Sequence, residues 1–416
     1  MSEASAGKPR TLPTTCCVVG GGPAGMMLGY LLARAGVDVV VLEKHADFLR
    51  DFRGDTIHPS TLQVMEELGL LQDLLKRPHS KAPRLQVQIG DQSLTLADFT
   101  FLPPQRAFIA LMPQWDFLDF FADAGKRYPG FHLIMKANVS DLIEEGGRVV
   151  GVRAITADGP LDVRARLVVG CDGRHSTVRD KARLEVEDIG APIDVLWMRI
   201  SRLPSDPGFG GRIAPGSFFA VLDRGDYFQL AYVIAKGDAE RIKQAGLPAF
   251  RQMVATALPF LASRVDELKS WDDVKLLTVR IDRLRTWYRP GLLCIGDAAH
   301  AMSPVGGVGI NLAIQDAVAT ANLLWKPLKQ GTLTEADLAR VQKRREFPTR
   351  VTQGLQVQAQ KRVIQPVLRS TQPLAPPWAL RLFDRVPVLQ RIPARLVGVG
   401  VRPEHVHSPE ASAASR

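Results

Sequence analysis

The chain has 416 residues, of which 46% are hydrophobic and 23% charged, a composition that is ordinary for a globular enzyme of two or three folding units and that argues against disorder. No apolar run approaches the roughly 18 residues of a membrane span, and the polar residues 1–15 lack a signal-peptide core, so we expect a cytoplasmic protein. The net charge of +10 comes from the segment after Trp325, where 16 Lys and Arg stand against 6 Asp and Glu.

This local positive charge leaves several interpretations open. Nucleic acid is not an expected partner, because no nucleic-acid-binding motif accompanies the charge. A peripheral membrane contact fits residues 378–401, where Leu and Val mix with arginines and prolines. A solvated helical cap on the rest of the protein, or a dimer contact, fits the same segment, so we expect a monomer or a homodimer.

The cysteines indicate buried thiols and no metal site. Cys16, Cys17, Cys171 and Cys294 each lie in or beside a short apolar run, as structural cysteines of buried strands do. None of them shows the spacing of metal ligands.

The first elements in chain order form a βαβ unit. Residues 15–20 predict a short buried strand, residues 23–35 a helix that ends at Gly36, and residues 37–42 a second strand. Such near-continuous apolar strands are typical of a parallel sheet with both faces covered.

The middle of the chain changes pattern. Alternating residues 84–111 predict hairpin strands, and the half-buried strands from about 186 to 280 predict an antiparallel sheet in a second domain. A buried strand at 292–296 and a long helix over about 309–325 return to the first domain.

A glycine-rich turn connects the first strand to the first helix. Gly20, Gly22 and Gly25, with Pro23 and Ala24 between them, match G-x-G-x-x-G. In a βαβ unit these glycines allow a tight turn, close approach of the backbone to a pyrophosphate, and close packing of helix on strand. The helix N-terminus offers N–H groups to the phosphates. Glu43 follows the second strand, with Lys44 beside it, where an acid binds ribose hydroxyls. We predict a dinucleotide site, and these residues alone do not decide between FAD and NAD.

Three further segments follow in order. They are FRGDTIHPSTL (52–62), VVGCDGRHSTVR (168–179) and GLLCIGDAAHAMSPVGGVGINL (291–312). Together with the glycine turn, they resemble the single-component FAD-dependent aromatic hydroxylases, the family of para-hydroxybenzoate hydroxylase, to which ubiquinone-pathway hydroxylases are related. The resemblance covers roughly residues 14–345 and favours FAD. It implies an α/β fold: an FAD-binding, Rossmann-like domain of the glutathione-reductase type with an inserted antiparallel-sheet substrate domain and a helical C-terminal region.

The resemblance also implies roles for individual residues. Contacts to the FAD phosphates and ribityl chain are expected from Arg53, Gln114 and Asp297, and contact near the adenine from Val139. Asp172 and Gly173 form the family's DG motif, linked to both FAD and NAD(P)H. The last motif would face the flavin ring with Pro304, Gly307, Val308, Gly309, Ile310 and Asn311. Backbone N–H groups at such a helix start would stabilise the negative charge of reduced flavin. His58 and His300 lie inside motifs and are expected to pack rather than to catalyse.

The activity implied by the resemblance is aromatic hydroxylation. NAD(P)H would reduce FAD, O2 would form a flavin C4a-hydroperoxide, and this electrophile would transfer oxygen to an aromatic or quinone-like substrate. No second strand-flanked glycine motif is present, so NAD(P)H would visit transiently. The alternatives are an FAD-dependent reductase or dehydrogenase acting on a lipophilic substrate, which would leave no oxygen from O2 in its product, and a flavin-holding accessory protein without turnover.

The substrate would lie between the flavin and the antiparallel sheet. Candidate lining residues from the sheet are Trp197, Arg199, Phe219, Phe228, Leu230 and Tyr232, with Val305 on the flavin side. Ordinary sheet packing explains any one of them equally well. Their apolar character favours a bulky aromatic substrate over a small carboxylate.

The expected domains follow from these segments. The FAD-binding domain comprises residues 1–83, 112–185 and 281–345, the substrate domain 84–111 and 186–280, and the basic helical C-terminal region 346–416.

Overall fold

A computed structural model of the chain describes residues 9–49, 56–208, 210–372 and 374–411. The strands are β1 (Arg10–Val19), β2 (Val39–Leu42), β3 (Thr56–Ile57), β4 (Ser80–Ala82), β5 (Arg84–Ile89), β6 (Gln92–Asp98), β7 (Ile109–Leu111), β8 (Phe131–Ile134), β9 (Asn138–Glu145), β10 (Arg148–Thr156), β11 (Gly159–Gly170), β12 (Val186–Asp188), β13 (Ile193–Ser201), β14 (Gly210–Ala214), β15 (Ser217–Asp223), β16 (Tyr227–Ala235), β17 (Lys275–Leu277), β18 (Asp282–Leu284), β19 (Tyr288–Arg289) and β20 (Leu292–Cys294).

The helices surround these strands. They are α1 (Pro23–Arg34), α2 (Pro59–Glu67), α3 (Leu71–Leu74), α4 (Gln114–Gly125), α5 (Thr177–Lys181), α6 (Ala239–Gln244), α7 (Leu247–Ala257), α8 (Gly309–Gln330), α9 (Glu335–Ala359), α10 (Gln365–Arg369), α11 (Trp378–Arg385) and α12 (Pro387–Ala394). Among the described helices, none is long and apolar enough to cross a membrane.

The first sheet contains the predicted βαβ unit. Its order is β19-β20-β11-β1-β2-β8, with β10 and β9 attached beside β11, and β1 pairs in parallel with both β2 and β11. Helix α1 connects β1 to β2 and buries nearly all its residues, and β2 is buried along its whole length. The Rossmann-like fold is confirmed. β1 begins earlier than predicted, at Arg10, because residues 10–14 pair with Leu161–Ala165 although they form no apolar run.

The second sheet has the order β17-β13-β16-β15-β14-β5-β6. Its pairs are antiparallel except for β14 and β5, which are parallel. The predicted antiparallel sheet is therefore confirmed except at this junction, where the β5–β6 hairpin joins strands distant in the chain. Residues 109–111 do not join this sheet but pair with β3 and β4.

The C-terminal region is helical only in part. Helix α9 continues through a π-helical segment, Gln360–Ile364, into α10. Residues 400–411, predicted as part of a helical region, instead form an irregular tail that lies on the first domain. Arg34 at the end of α1 donates a hydrogen bond to the Ser408 carbonyl (2.9 Å), and the Tyr128 hydroxyl donates to Glu410 (2.8 Å).

Candidate active site

The glycine turn has two packed positions and one open position. Gly20 adopts φ +105°, and a Cβ atom there would lie 2.4 Å from the Cys171 carbonyl oxygen. A Cβ atom on Gly25 would lie 1.9 Å from the Gly20 carbonyl oxygen. A Cβ atom on Gly22 meets nothing within 4 Å, although Gly22 caps α1. The turn thus presents open space beside a helix N-terminus, the arrangement that accepts a pyrophosphate.

Glu43 is held at the mouth of this turn. Its Oε2 accepts a hydrogen bond from the Gly21 N–H (2.9 Å) and its Oε1 accepts one from the His45 N–H (3.0 Å). The side chain is buried, whereas the neighbouring Lys44 is exposed. The carboxylate that would bind ribose hydroxyls is therefore fixed before any ligand arrives.

The Asp172 carboxylate accepts hydrogen bonds from the loop that follows it. Oδ1 accepts from the Ser176 hydroxyl (2.5 Å) and Oδ2 from the Val178 N–H (3.1 Å) at the start of α5. Burial raises the pKa of Asp172, and these hydrogen bonds oppose the rise. A Cβ atom on Gly173 would meet nothing within 4 Å, so this backbone is accessible to a ligand while the Asp172 side chain is occupied.

An ion pair joins the second and third motifs. Arg174 Nη2 lies 3.6 Å from Asp297 Oδ2, and the Asp297 side chain is 33% exposed. Asp297 thus keeps a carboxylate surface available for hydroxyl groups, with a cation positioned beside it.

The Asp297 loop rests on a buried charge network that the sequence analysis missed. Asp316 in α8 accepts from the Gly296 N–H (3.0 Å), Arg345 Nε (2.9 Å) and His300 Nε2 (2.5 Å). Arg345 also donates to Glu404 in the C-terminal tail (3.1 Å). Burial tends to raise the pKa of Asp316, but the charges of His300 and Arg345 lower it below its usual range. The available signal was an acid within the largely apolar run INLAIQDAVATA.

The start of α8 presents backbone donors beside the preceding loop. Helix α8 begins at Gly309 with no side-chain cap from the described residues, and the first N–H groups of a helix have no partner within the helix. A Cβ atom on Gly309 would meet nothing within 4 Å. Pro304, Val308 and Ile310 flank these donors, and Gly307 packs against Thr56. An anionic ligand group is favoured here.

The Asn311 side chain fastens this loop instead of facing a ligand. Its Oδ1 accepts from the His58 N–H and the Thr61 hydroxyl, both at 2.8 Å. Its Nδ2 donates to the carbonyls of Thr56 (3.1 Å) and Gly307 (3.3 Å). The prediction that Asn311 contacts the flavin therefore applies to its backbone alone, because the amide is fully used. Arg53 lies outside the described residues.

Two further predicted cofactor residues lie in regular secondary structure. Gln114 is the first residue of α4, directly after Pro113. Val139 lies buried on β9 in the core of the first domain. Their contact with a cofactor stays a prediction.

The two motif histidines are structural. Burial lowers the pKa of His58 to about 4, so the ring is neutral at pH 7, and its Nδ1 lies 2.8 Å from the Val397 carbonyl. His300 is paired with Asp316 and packs against Trp287, with ring centroids 5.0 Å apart.

One face of the second sheet lies against the loop that precedes α8 (residues 304–308), here called the flavin-side loop. Val305 packs with a cluster formed by β13, β16 and the C-terminal helices, and Trp197 borders this cluster. Trp197 also borders a second cluster that includes Leu222 and Ala394. This surface, here called the substrate face, lies between the flavin-side loop and α12.

Four predicted substrate residues lie on the opposite face, which corrects the sequence analysis. The register pairs Trp197 directly with Ala231, so side chains at positions 230 and 232 point away from the substrate face. Those on the opposite face are Phe219, Phe228, Leu230 and Tyr232, which form a separate core with α7. The Phe219 and Tyr232 rings stack with centroids 4.6 Å apart. The large side chains of these residues led to the prediction of a substrate pocket, but α7 packs over them.

The prediction that Arg199 lines the substrate site is also wrong. Its guanidinium lies over the Tyr227 ring, 3.8 Å from the centroid, and beside Asp226 (3.8 Å). It therefore belongs to the protein surface.

Two buried donors on the substrate face lack acceptors among the described residues: Trp197 Nε1 and Gln229 Nε2. Gln229 is 4% exposed, and its Oε1 is held by the Arg224 guanidinium at 3.1 Å. A buried donor without a partner costs about 1–3 kcal/mol, so a ligand that supplies acceptors is favoured. Gln229 was missed, although a glutamine inside the strand YFQLAYVIA was a usable signal.

Comparison with known proteins places the chain in a family. Residues 13–354 match the family model described as an FAD binding domain. The chain belongs to the FAD-dependent aromatic monooxygenases. It is 32% identical over 385 residues to the 6-methylpretetramide 4-monooxygenase of Streptomyces rimosus, covering 92% of each chain. It is 30% identical to the rifampicin monooxygenase of Streptomyces venezuelae, over 74% of this chain and 63% of that protein.

A solved structure agrees at the level of the fold. The p-nitrophenol 4-monooxygenase from Pseudomonas putida superposes with a TM-score of 0.73 at 20% identity, covering 92% of this chain and 97% of that one. The open positions at Gly22 and Gly309, each beside a helix N-terminus, fit the pyrophosphate and ring ends of FAD. The expected cofactor and enzyme class, an NAD(P)H-dependent flavoprotein monooxygenase, are confirmed.

Proposed function

We propose that the chain hydroxylates a bulky aromatic or quinone-like substrate that carries at least one oxygen acceptor. The observation that supports this proposal is the substrate face, where Trp197 and Val305 border the same apolar strand cluster and where Trp197 Nε1 and Gln229 Nε2 lack acceptors among the described residues. When bound, FAD supplies electron transfer from NAD(P)H to O2 and delivery of one oxygen atom to the ring.

The chain's own groups hold and orient the reactants. Gly22 and the start of α1 would bind the pyrophosphate, Glu43 the adenosine ribose, and Asp297 the ribityl hydroxyls. The first N–H groups of α8 would stabilise negative charge on the flavin ring. Trp197 Nε1 and Gln229 Nε2 would donate to a substrate carbonyl or phenolic oxygen and so set which ring carbon faces the flavin.

Several features support a bulky substrate. The substrate face is lined by the apolar residues Val195, Ala231 and Val233. Two relatives at 30% identity or more are named for 6-methylpretetramide and for rifampicin. We propose the cytoplasm as the location, where NAD(P)H is available. The proposed state is a monomer or a homodimer.

The test is a substrate screen with the purified flavoprotein. Multi-ring phenols, quinone precursors and small hydroxybenzoates would be compared for stimulated oxidation of NADH and of NADPH, with product formation followed in parallel. The proposal expects stimulation and hydroxylated product with multi-ring compounds. Product from small hydroxybenzoates alone would contradict it.

A further inference from the structure

Helices α11 and α12 expose an apolar surface. Its residues are Trp378 (75% exposed), Leu382 (51%), Val386 (37%), Val388 (63%), Ile392 (57%) and Leu396 (41%). They form two sets, 378, 382 and 386 on and just after α11 and 388, 392 and 396 on and just after α12, and within each set they recur every four residues, which places them along one side of each helix. Exposed apolar side chains are usually scattered singly, and a contiguous group marks an interaction site. We call this group, together with the arginines between its members, the arginine–apolar surface.

The charges on this surface have one sign. Exposed arginines alternate with the apolar residues: Arg381, Arg385, Arg391 and Arg395. The only acid between residues 374 and 399 is Asp384, and its Oδ1 accepts a hydrogen bond from the Thr95 N–H (2.7 Å) in β6. The carboxylate is thereby turned to the protein, and the outer side keeps the positive charge.

The inner sides of the two helices are anchored. Ala394 is fully buried against the cluster that contains Leu222 and Phe99. Gln390 is buried and donates to the Asp384 carbonyl (2.7 Å). The fold therefore fixes the helices with their exposed apolar side chains and Arg381, Arg385 and Arg395 outward, while the Arg391 guanidinium lies 5.6 Å from the Phe101 ring centroid.

We propose that the arginine–apolar surface binds the surface of an anionic phospholipid bilayer. Trp and Leu inserted at the headgroup boundary, with arginines on the same helices, are what anionic membranes bind. Each arginine near such a surface contributes roughly a fivefold gain in binding. A second copy of this surface is a poorer partner, because arginines would face arginines. The inference does not depend on the proposed reaction.

The experiment uses the full-length flavoprotein and sedimentation with vesicles. Vesicles of phosphatidylcholine alone are compared with vesicles that contain phosphatidylglycerol, at low and at high salt. The proposal expects binding to the anionic vesicles, weakened by salt through screening, and little binding to the neutral ones. No binding to anionic vesicles overturns it, and so does equal binding to both kinds.

Variants separate this surface from the general charge of the protein. Trp378→Ser with Leu382→Ser, and Arg381→Gln with Arg385→Gln, should each lower the apparent affinity at least roughly tenfold. Matched controls are Ile155→Ser with Leu203→Ser, which are exposed apolar residues elsewhere, and Lys269→Gln with Lys275→Gln. An equal loss in the controls overturns the proposal. Self-association that the Trp378 and Leu382 changes abolish, without vesicle binding by the parent protein, assigns the surface to a second copy instead.

Discussion

The backbone N–H of Gly296 donates a hydrogen bond to the buried carboxylate of Asp316 at 3.0 Å. Asp316 also accepts from Arg345 in α9, and Arg345 in turn donates to Glu404. The loop that presents Asp297 is thus supported by the C-terminal helix and tail, although these lie far along the chain. The C-terminal region therefore contributes to the cofactor-binding domain as well as to the arginine–apolar surface.

Replacement of Asp316 should destabilise the fold. Asp316→Asn removes the carboxylate that faces both Arg345 and His300, and Arg345 then keeps Glu404 as its remaining buried counter-charge. Breaking a buried ion pair costs up to about 3–5 kcal/mol. Urea unfolding of the variant should show this decrease in the free energy of unfolding. Asp123→Asn, which alters surface ion pairs, is the control and should change the free energy by less than about 1 kcal/mol. Equal effects would contradict a special role for the buried network.

The same network predicts a dependence on acid. The pKa of Asp316 is lowered in the folded protein, so its stabilisation is present above the unfolded pKa of about 4 and is lost as the pH falls through the folded value. The free-energy difference between the parent protein and Asp316→Asn should therefore shrink below about pH 4. A difference that stays constant from pH 7 to pH 3 would count against this assignment.

The lowered pKa of His58 predicts a second dependence of stability on pH, in a different pH range. Burial lowers its pKa to about 4, so the unfolded chain binds a proton more readily between about pH 6.5 and 4. The stability of the parent protein should fall as the pH decreases through this window, and His58→Gln should reduce the slope. Chemical unfolding at several pH values measures both slopes, and identical slopes would refute the prediction.

Two glycines of the nucleotide turn should respond differently to alanine. Gly22→Ala places its Cβ in open space, so the apoprotein should keep its melting temperature while FAD affinity falls at least roughly tenfold. Gly25→Ala forces a Cβ against the Gly20 carbonyl and should destabilise the apoprotein itself. Flavin titration and thermal unfolding of apoprotein distinguish the two. Unchanged FAD affinity in Gly22→Ala would contradict the site.

Variants on the two faces of the second sheet should differ in their effect on KM. Trp197→Phe removes one of the two donors on the substrate face that lack an acceptor among the described residues and should raise KM for an oxygen-bearing substrate, with little change in melting temperature. Tyr232→Phe, on the opposite face, is the matched control and should leave KM unchanged. Steady-state kinetics with a substrate from the screen provides the comparison. A similar change in both variants would place the substrate elsewhere.

Much of the cofactor domain could be predicted from the sequence because its determinants are local. The turn at Gly20–Gly25 needs particular residues at fixed spacing between a strand and a helix, and the spacing is visible without the fold. The element bounds were less accurate where pairing is non-local. Residues 10–14 form part of β1 only because they pair with β11.

The substrate side was harder to predict because it depends on which face of a strand is covered. Alternation correctly grouped Phe228, Leu230 and Tyr232 on one face, but nothing local indicates that α7 packs on that face. The buried link between Asp316 and Glu404 joins residues 88 positions apart, through an arginine in a third element. Such contacts are decided by tertiary packing.

The most direct test of the assigned chemistry follows the oxygen atom. The flavoprotein would turn over a substrate from the screen with NAD(P)H under isotopically labelled O2, and mass spectrometry would read the product. A monooxygenase reaction predicts one labelled oxygen atom in each hydroxylated product molecule. A product that forms with NAD(P)H consumption but carries no label would contradict the account.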